Sequence, residues 1–207
     1  MKILTEEEIL FNQFKINDDQ YRKINAFLKI LKEWNQKFNI VGNSTLKNPL
    51  KSHIIDSIQT TTFIKNKMSK IIDLGTGGGL PGIVLSIVGY EKITLIDSNS
   101  KKINFINHVI KELNLNAKTI NSRIENIKNS NFTFIVSRAL ARLEMLISYS
   151  SRLSNPSTTL IFHKGENYLK ELNDAKKFWV FNHQMAQSIS DERGKILIIK
   201  NFRKKHG

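Results

Sequence analysis

Two rhythms of apolar residues run along this chain, and they change over near residue 70. In the first part Tyr21, Ile24, Phe27, Leu28, Leu31 and Trp34 recur at three- and four-residue spacing. That spacing puts them on one face of a helix, so residues 1–40 are expected to be helical. From residue 70 the apolar residues gather into short runs of strand length. These are Lys70–Leu74, Lys92–Asp97, Lys118–Asn121, Thr133–Ser137 and Thr159–His163, then Phe178–Asn182 and Lys195–Asn201. Helix-period stretches separate the first five, as with Ile103, Phe105, Ile106, Val109, Ile110 and Leu113. Such alternation predicts βαβ units and a parallel sheet. Only Gln184–Gly194 parts the last two runs, and its turn-rich end at Ser190–Gly194 suits an antiparallel hairpin. The expected fold class is α/β, with seven mostly parallel strands, a C-terminal antiparallel hairpin and a helical N-terminal extension. Residues 1–60 are expected to form that extension and residues 61–207 the doubly wound unit, in one compact body.

Glycines interrupt this pattern once, at Ile71-Ile72-Asp73-Leu74-Gly75-Thr76-Gly77-Gly78-Gly79-Leu80-Pro81-Gly82-Ile83. The loop follows a strand and precedes an apolar helix, the setting of a nucleotide-binding turn. Gly77, Gly79 and Gly82 match the dinucleotide pattern, and Asp97 at the end of the next strand can accept the hydrogens of two ribose hydroxyls. Asp73 separates the possible ligands. Two charges near 4 Å interact by about 4 kcal/mol at an effective dielectric of 20. An acid two residues before Gly75 therefore opposes a pyrophosphate and favours a cationic group. Pro81 removes an N–H where a phosphate would want one. The expected cofactor is S-adenosylmethionine, whose ammonium and sulfonium are both positive.

Composition narrows the partner. The chain carries 32 Lys and Arg against 18 Asp and Glu, a net charge of +14, which points to nucleic acid as polyanion. There is no cysteine, which excludes disulfides, thiolate metal sites and a cysteine nucleophile, and no metal is expected. No apolar run reaches the roughly 18 residues of a membrane span, and the N-terminus is acidic where a leader would be basic. A cytoplasmic protein, without membrane partner and monomeric, is the expectation.

The acceptor follows partly by elimination. After the fourth strand, Ile135-Val136-Ser137-Arg138-Ala139 lacks the Asn/Asp-Pro-Pro-aromatic stretch suited to exocyclic amines, and pyrimidine C5 chemistry needs a cysteine. Ring nitrogens, ribose hydroxyls, protein side chains and small molecules remain. Guanine N7 carries a lone pair and no proton, so its methylation needs placement and electrostatics and no general base.

Several blocks together resemble one family. Trp34-Asn35-Gln36-Lys37-Phe38-Asn39-Ile40, His53-Ile54-Ile55-Asp56-Ser57, the glycine loop, Ser122-Arg123-Ile124-Glu125, Ser137-Arg138-Ala139 and Lys164-Gly165 occur in the order found in the bacterial small-subunit ribosomal RNA guanine-N7 methyltransferases, formerly glucose-inhibited division protein B. Ser52 stands where that family has a basic residue, with Lys51 one place earlier. The resemblance implies a class I, Rossmann-like methyltransferase acting on a guanine in the 530 loop of 16S RNA, naked or in the small subunit. It implies that Gly75 and Leu80 line the cofactor beside Asp73, Gly77 and Asp97, with the Ile124-Glu125 backbone at the adenine. Arg138 would serve cofactor or base, and Lys164 would clamp a phosphate. Asn39, His53 and Arg123 are RNA-contact candidates. Bland roles compete: Asn39 as a helix C-cap, His53 as a structural histidine, Asp56 as a local cap, Trp34 as core, Arg123 or Arg138 paired with Glu125, and Lys200, Arg203, Lys204 and Lys205 as solvated charge. An NAD-dependent oxidoreductase, a non-catalytic RNA-binding assembly factor and a small-molecule methyltransferase are the rival functions.

Overall fold

A computed structural model describes residues 4–127 and 131–205. The outer ends of the two expected units, residues 1–3 and 206–207, lie outside it. Helices α1 (Glu6–Glu8) and α2 (Asp18–Phe38) open the chain, with a wider helical turn at Ile9–Gln13 between them. Lys15, at φ 55°, breaks the helical run expected over residues 1–40. Asn17 and Gln20 cap α2 reciprocally at its start, and Asn39 closes it in the left-handed conformation at φ 46°. Ile24, Phe27 and Leu31 form its buried stripe, and Asn35 continues the same face.

Asn35 is a polar residue at a core position, and the chain satisfies it. Its Nδ2 donates to Asn43 Oδ1 at 2.9 Å, and its Oδ1 accepts from the Val41 amide at 2.8 Å. The turn after α2 is thereby clasped to the helix. Asn35→Ala is expected to lower stability by about 1–2 kcal/mol in urea unfolding, because a buried amide loses its acceptor.

Further helical turns, including α3 (Asp56–Ile58), lead to the sheet. Strands β1 (Lys70–Leu74), β2 (Lys92–Asp97), β3 (Ala117–Asn121), β4 (Phe134–Arg138) and β5 (Thr159–Lys164) run parallel. Between them come α4 (Gly82–Ile87), α5 (Ser100–Glu112) and α6 (Leu143–Ser151); α7 (Tyr168–Phe178) follows β5. Strands β6 (Trp179–Gln187) and β7 (Lys195–Lys204) form the hairpin, and β7 lies antiparallel to both β5 and β6. The order is β3-β2-β1-β4-β5-β7-β6.

Alternation along β1 shows how the two faces are covered. Ile71 joins the core shared with α2, α4 and α5, whereas Ile72 joins the core beneath α6 and α7. N-terminal residues Leu10, Ile54, Ile55 and Ile58 pack into the first of these cores beside Ile83 and Ile106. Strand order reverses between β1 and β4. Loops leaving the carboxyl ends of those strands must diverge there and leave a crevice.

Candidate functional site

The glycine loop departs from β1 into that crevice, and two carboxylates hold its shape. Asp73 is wholly buried; its Oδ2 accepts from the Thr76 hydroxyl at 2.6 Å and from the Gly82 amide at 2.9 Å. Its Oδ1 is buried without a hydrogen-bond partner. Burial pushes this carboxyl up to about 7, although the bonds from Thr76 and Gly82 pull the other way. From β2, Asp97 accepts the Gly77 amide on Oδ2 at 3.0 Å and the Asn99 amide on Oδ1 at 2.8 Å. Asp73 thus faces the loop as expected, but from beneath it and outside the wall of the cavity described next.

Most of the glycines here make room for the protein itself. A Cβ on Gly75 would lie 2.3 Å from a Leu140 methyl group, and one on Gly82 would lie 2.4 Å from Leu95. Val41 fills the space beside Gly78, and Ile83 the space beside Gly79. Gly77 differs. With φ at 57°, its nearest neighbours to such a carbon are Gly75 O at 3.8 Å and Lys102 Nζ at 4.0 Å. An outside group can therefore come close to the backbone at Gly77, the residue whose N–H already points to Asp97.

Above the loop is a cavity of about 950 Å³. Gly75, Gly77, Gly78 and Leu80 lie along one side, and Arg138, Leu140, His163 and Lys164 along another. Segment 41–56 supplies a third wall through Val41, Thr45, His53 and Asp56.

A buried polar brace ties these walls together around Asp56. Arg138 Nη1 donates to Asp56 Oδ2 at 2.9 Å and to the Ser52 carbonyl at 2.7 Å, and Nη2 lies 3.0 Å from His53 Nδ1. A guanidinium only donates, so His53 accepts on Nδ1 and carries its proton on Nε2, 3.0 Å from Thr45 Oγ1. Burial, then the charge of Arg138, pushes His53 down to about 4, which keeps the ring neutral at pH 7. The other Asp56 oxygen accepts from the Ser190 hydroxyl at 2.6 Å and from Gln59 Nε2 at 3.0 Å. His163 Nδ1 stands 3.6 Å from Asp56 Oδ2, and its Nε2 lies 2.8 Å from Thr60 Oγ1. Burial would raise the Asp56 carboxyl, but His163, Arg138 and Ser190 outweigh it and hold the group well below its usual range.

Lys164, expected as a free clamp, is engaged within the fold. Its ammonium meets Glu171 at 2.6 Å and donates to the Ala141 carbonyl at 2.9 Å. Those bonds anchor the loop after β4 and leave one N–H for the cavity. Arg138 likewise spends three of its five N–H bonds on the brace. Ile124 and Glu125 lie on the turn after β3, outside the wall of this cavity, as does exposed Arg123. Glu125 forms no ion pair with Arg123 or Arg138 among the described residues, and Arg138 pairs with Asp56 instead. Asn39 is the exposed C-cap of α2, and Trp34 packs on Phe105 and His108. Lys200, Arg203 and Lys204 belong to β7. Local sequence patterns do not single out Thr45, Thr60, His163 and Ser190 of the brace, nor Lys102 and Leu140 of the wall. His163, directly before Lys164 at the end of a core strand, carries the clearest signal among them.

The chain is similar to known proteins in sequence and in fold. The family described as GidB, rRNA small subunit methyltransferase G, matches residues 20–200. The ribosomal RNA small subunit methyltransferase G of Rickettsia felis is 37% identical over 182 residues, covering 88% of this chain and 94% of the relative. Among solved structures, the ribosomal protein L11 methylase of Lactobacillus delbrueckii subsp. bulgaricus superposes with a TM-score of 0.58 at 19% identity, covering 80% of this chain and 81% of that one. A mutant of MtNAS in complex with S-adenosylmethionine superposes at 0.57 with 16% identity, covering 87% and 76%.

Proposed function

Because the chain belongs to the rRNA small subunit methyltransferase G family, we propose that it methylates N7 of a guanine in the 530 loop of 16S RNA, as a monomer in the cytoplasm. Its cofactor is S-adenosylmethionine, which when bound supplies an electrophilic methyl group on a positively charged sulfur. The residues present suit that group. One open glycine lies between two carboxylates at the crevice of the sheet, and the buried Asp73 Oδ1 has no partner of its own. Gly77 is the observation that carries the reading, since of the loop's glycines it alone has no atom nearer than 3.8 Å to the place of its missing Cβ, which leaves room for an outside molecule.

Asp97 would hold the ribose, Asp73 would act on the methionine end through the loop, and Gly75 and Leu80 would shape the wall. The Ile124-Glu125 turn, one strand further along, would reach the adenine. On the opposite wall Arg138 keeps two N–H bonds and Lys164 one, enough to donate to guanine O6 or a phosphate while leaving N7 unoccupied. Nothing in the brace is needed as a base, because N7 has no proton to lose. His53 stays neutral and holds the guanidinium in orientation. Lys51, Arg123 and exposed Asn39 would contact the RNA backbone outside the cavity.

Methyl-labelled S-adenosylmethionine, offered with unmethylated ribosomal RNA and separately with small subunits, tests this directly. Label in 7-methylguanosine of the small-subunit RNA is the expected result. Label in another nucleoside would overturn the acceptor atom, and no label in either RNA would overturn the substrate.

A further inference from the structure

Beside the cavity lies a second hollow, of about 400 Å³, between the start of α6 and one face of α7. Arg142 and Glu171 line both, so the two are neighbours. Along α7, Asn167, Lys170, Glu171, Asp174, Lys177 and Phe178 recur at three- and four-residue spacing and form one stripe. Two of its acids are already committed. Asp174 accepts from Lys177 at 2.7 Å, and Glu171 takes Lys164 and, at 2.8 Å, the Leu143 amide. Lys177's hydrogen bond, with the charges of Lys170 and Arg142 behind it, holds the Asp174 carboxyl below its usual range. Arg142 and Lys170 form no ion pair among the described residues. Phe178 ends the stripe with half its surface in solvent. A lone exposed ring is ordinary; this one is a flat platform at the rim of a hollow that Arg142 and Lys170 also line.

Substrate geometry gives such a platform a use. N7 faces the major groove, which in an RNA duplex is too deep and narrow for side chains to enter. A guanine can present N7 inside this cavity only from unpaired, splayed RNA, and its neighbours then need somewhere to go. We propose that the hollow takes the nucleotide flanking the target guanine, its phosphate between Arg142 and Lys170 and its base on the ring of Phe178. Glu144, the remaining acid, is an acceptor for an exocyclic amine of that base. This inference rests on the methyltransferase reading above and specifies its substrate as single-stranded at two adjacent positions.

Steady-state methylation of naked 16S RNA and of small subunits by the full chain tests it. Phe178→Leu keeps apolar bulk and removes the aromatic face. It is expected to raise KM for RNA about tenfold, with kcat and cofactor affinity unchanged, while Phe178→Trp restores the wild-type value. Lys170→Gln should raise KM and lower the slope of log KM against log salt by about one. Unchanged KM in both variants overturns the proposal. So does a rise seen with subunits alone, which would mark the hollow as a contact for a ribosomal protein. A wild-type chain that binds cofactor and methylates no ribosomal RNA overturns the parent reading first and takes this one with it, so the two failures are distinguishable.

Discussion

Asp56→Ala is expected to destabilise the protein by about 3–5 kcal/mol, read as a lower urea midpoint at unchanged slope. Asp56 is the only acid within the brace. It pairs Arg138 at 2.9 Å and accepts from Ser190 and Gln59, with its side chain 17% exposed and that of Arg138 18%. Alanine leaves a largely buried guanidinium facing a carbonyl and a neutral histidine, and Ser190 and Gln59 each lose one of their bonds. Asp56→Asn, which keeps the shape, should cost less. The pH dependence sharpens the test. Asp56 has a folded value below its ordinary 3.8, so the stability it contributes is present above that value and lost as pH falls through the lower one. His53 falls from 6.5 to about 4, so the unfolded chain takes up its proton first. Stability is then lost as pH drops from about 6.5 to about 4, and His53→Gln should flatten that part of the curve. A loss under about 1 kcal/mol for Asp56→Ala would mean that the pair behaves like a solvent-screened one, and would dissolve the brace as a structural unit.

That brace is out of reach of the sequence for a physical reason. Asp56 meets Arg138 across 82 positions and Ser190 across 134, and Thr60 meets His163 across 103. Local spacing around Asp56 shows only an acid in a helical stretch, where capping is an equally good account. The strands are legible because a parallel sheet covered on both faces demands unbroken apolar runs, and Ile71-Ile72, Leu95-Ile96 and Leu160-Ile161-Phe162 supply them. The apolar run expected as the sixth strand, Phe178–Asn182, is shorter than β6 itself. The later residues of β6 alternate with solvent on the open edge, so the ladder to β7 continues where the apolar run has stopped. Phe178 is the last residue of α7 and no part of the strand. The glycine loop is visible as a motif, but its sense is not: whether a missing Cβ makes room for Leu140, Val41 or an outside molecule depends on chain that arrives from elsewhere.

Asp73→Asn is expected to weaken S-adenosylmethionine binding by about ten- to a hundredfold at pH 8 while making the fold more stable, by about 2 kcal/mol. The two effects have one origin. Burial raises this carboxyl from 3.8 in the unfolded chain to about 7 in the folded one. Its contribution to stability is therefore full below 3.8, lost progressively as pH rises to about 7, and absent above. At about 1.4 kcal/mol per pH unit the loss is on the order of 4 kcal/mol. Asparagine keeps an oxygen for Thr76 and Gly82 and does not ionise; its buried amide without a partner takes back part of the gain. A cation arriving above the loop favours the ionised carboxylate, so a proton and the cofactor compete. Wild-type affinity, measured by calorimetric titration from pH 6 to 8.5, should fall below about pH 7, and the curve of the Asp73→Asn variant should be flat. Equal affinities over that range would remove Asp73 from cofactor recognition and leave it only as the clasp of the loop. A less stable variant at pH 8 would show instead that the charge itself holds Thr76 and Gly82 in place, and that the acid was kept for the shape of the loop before any ligand came near it.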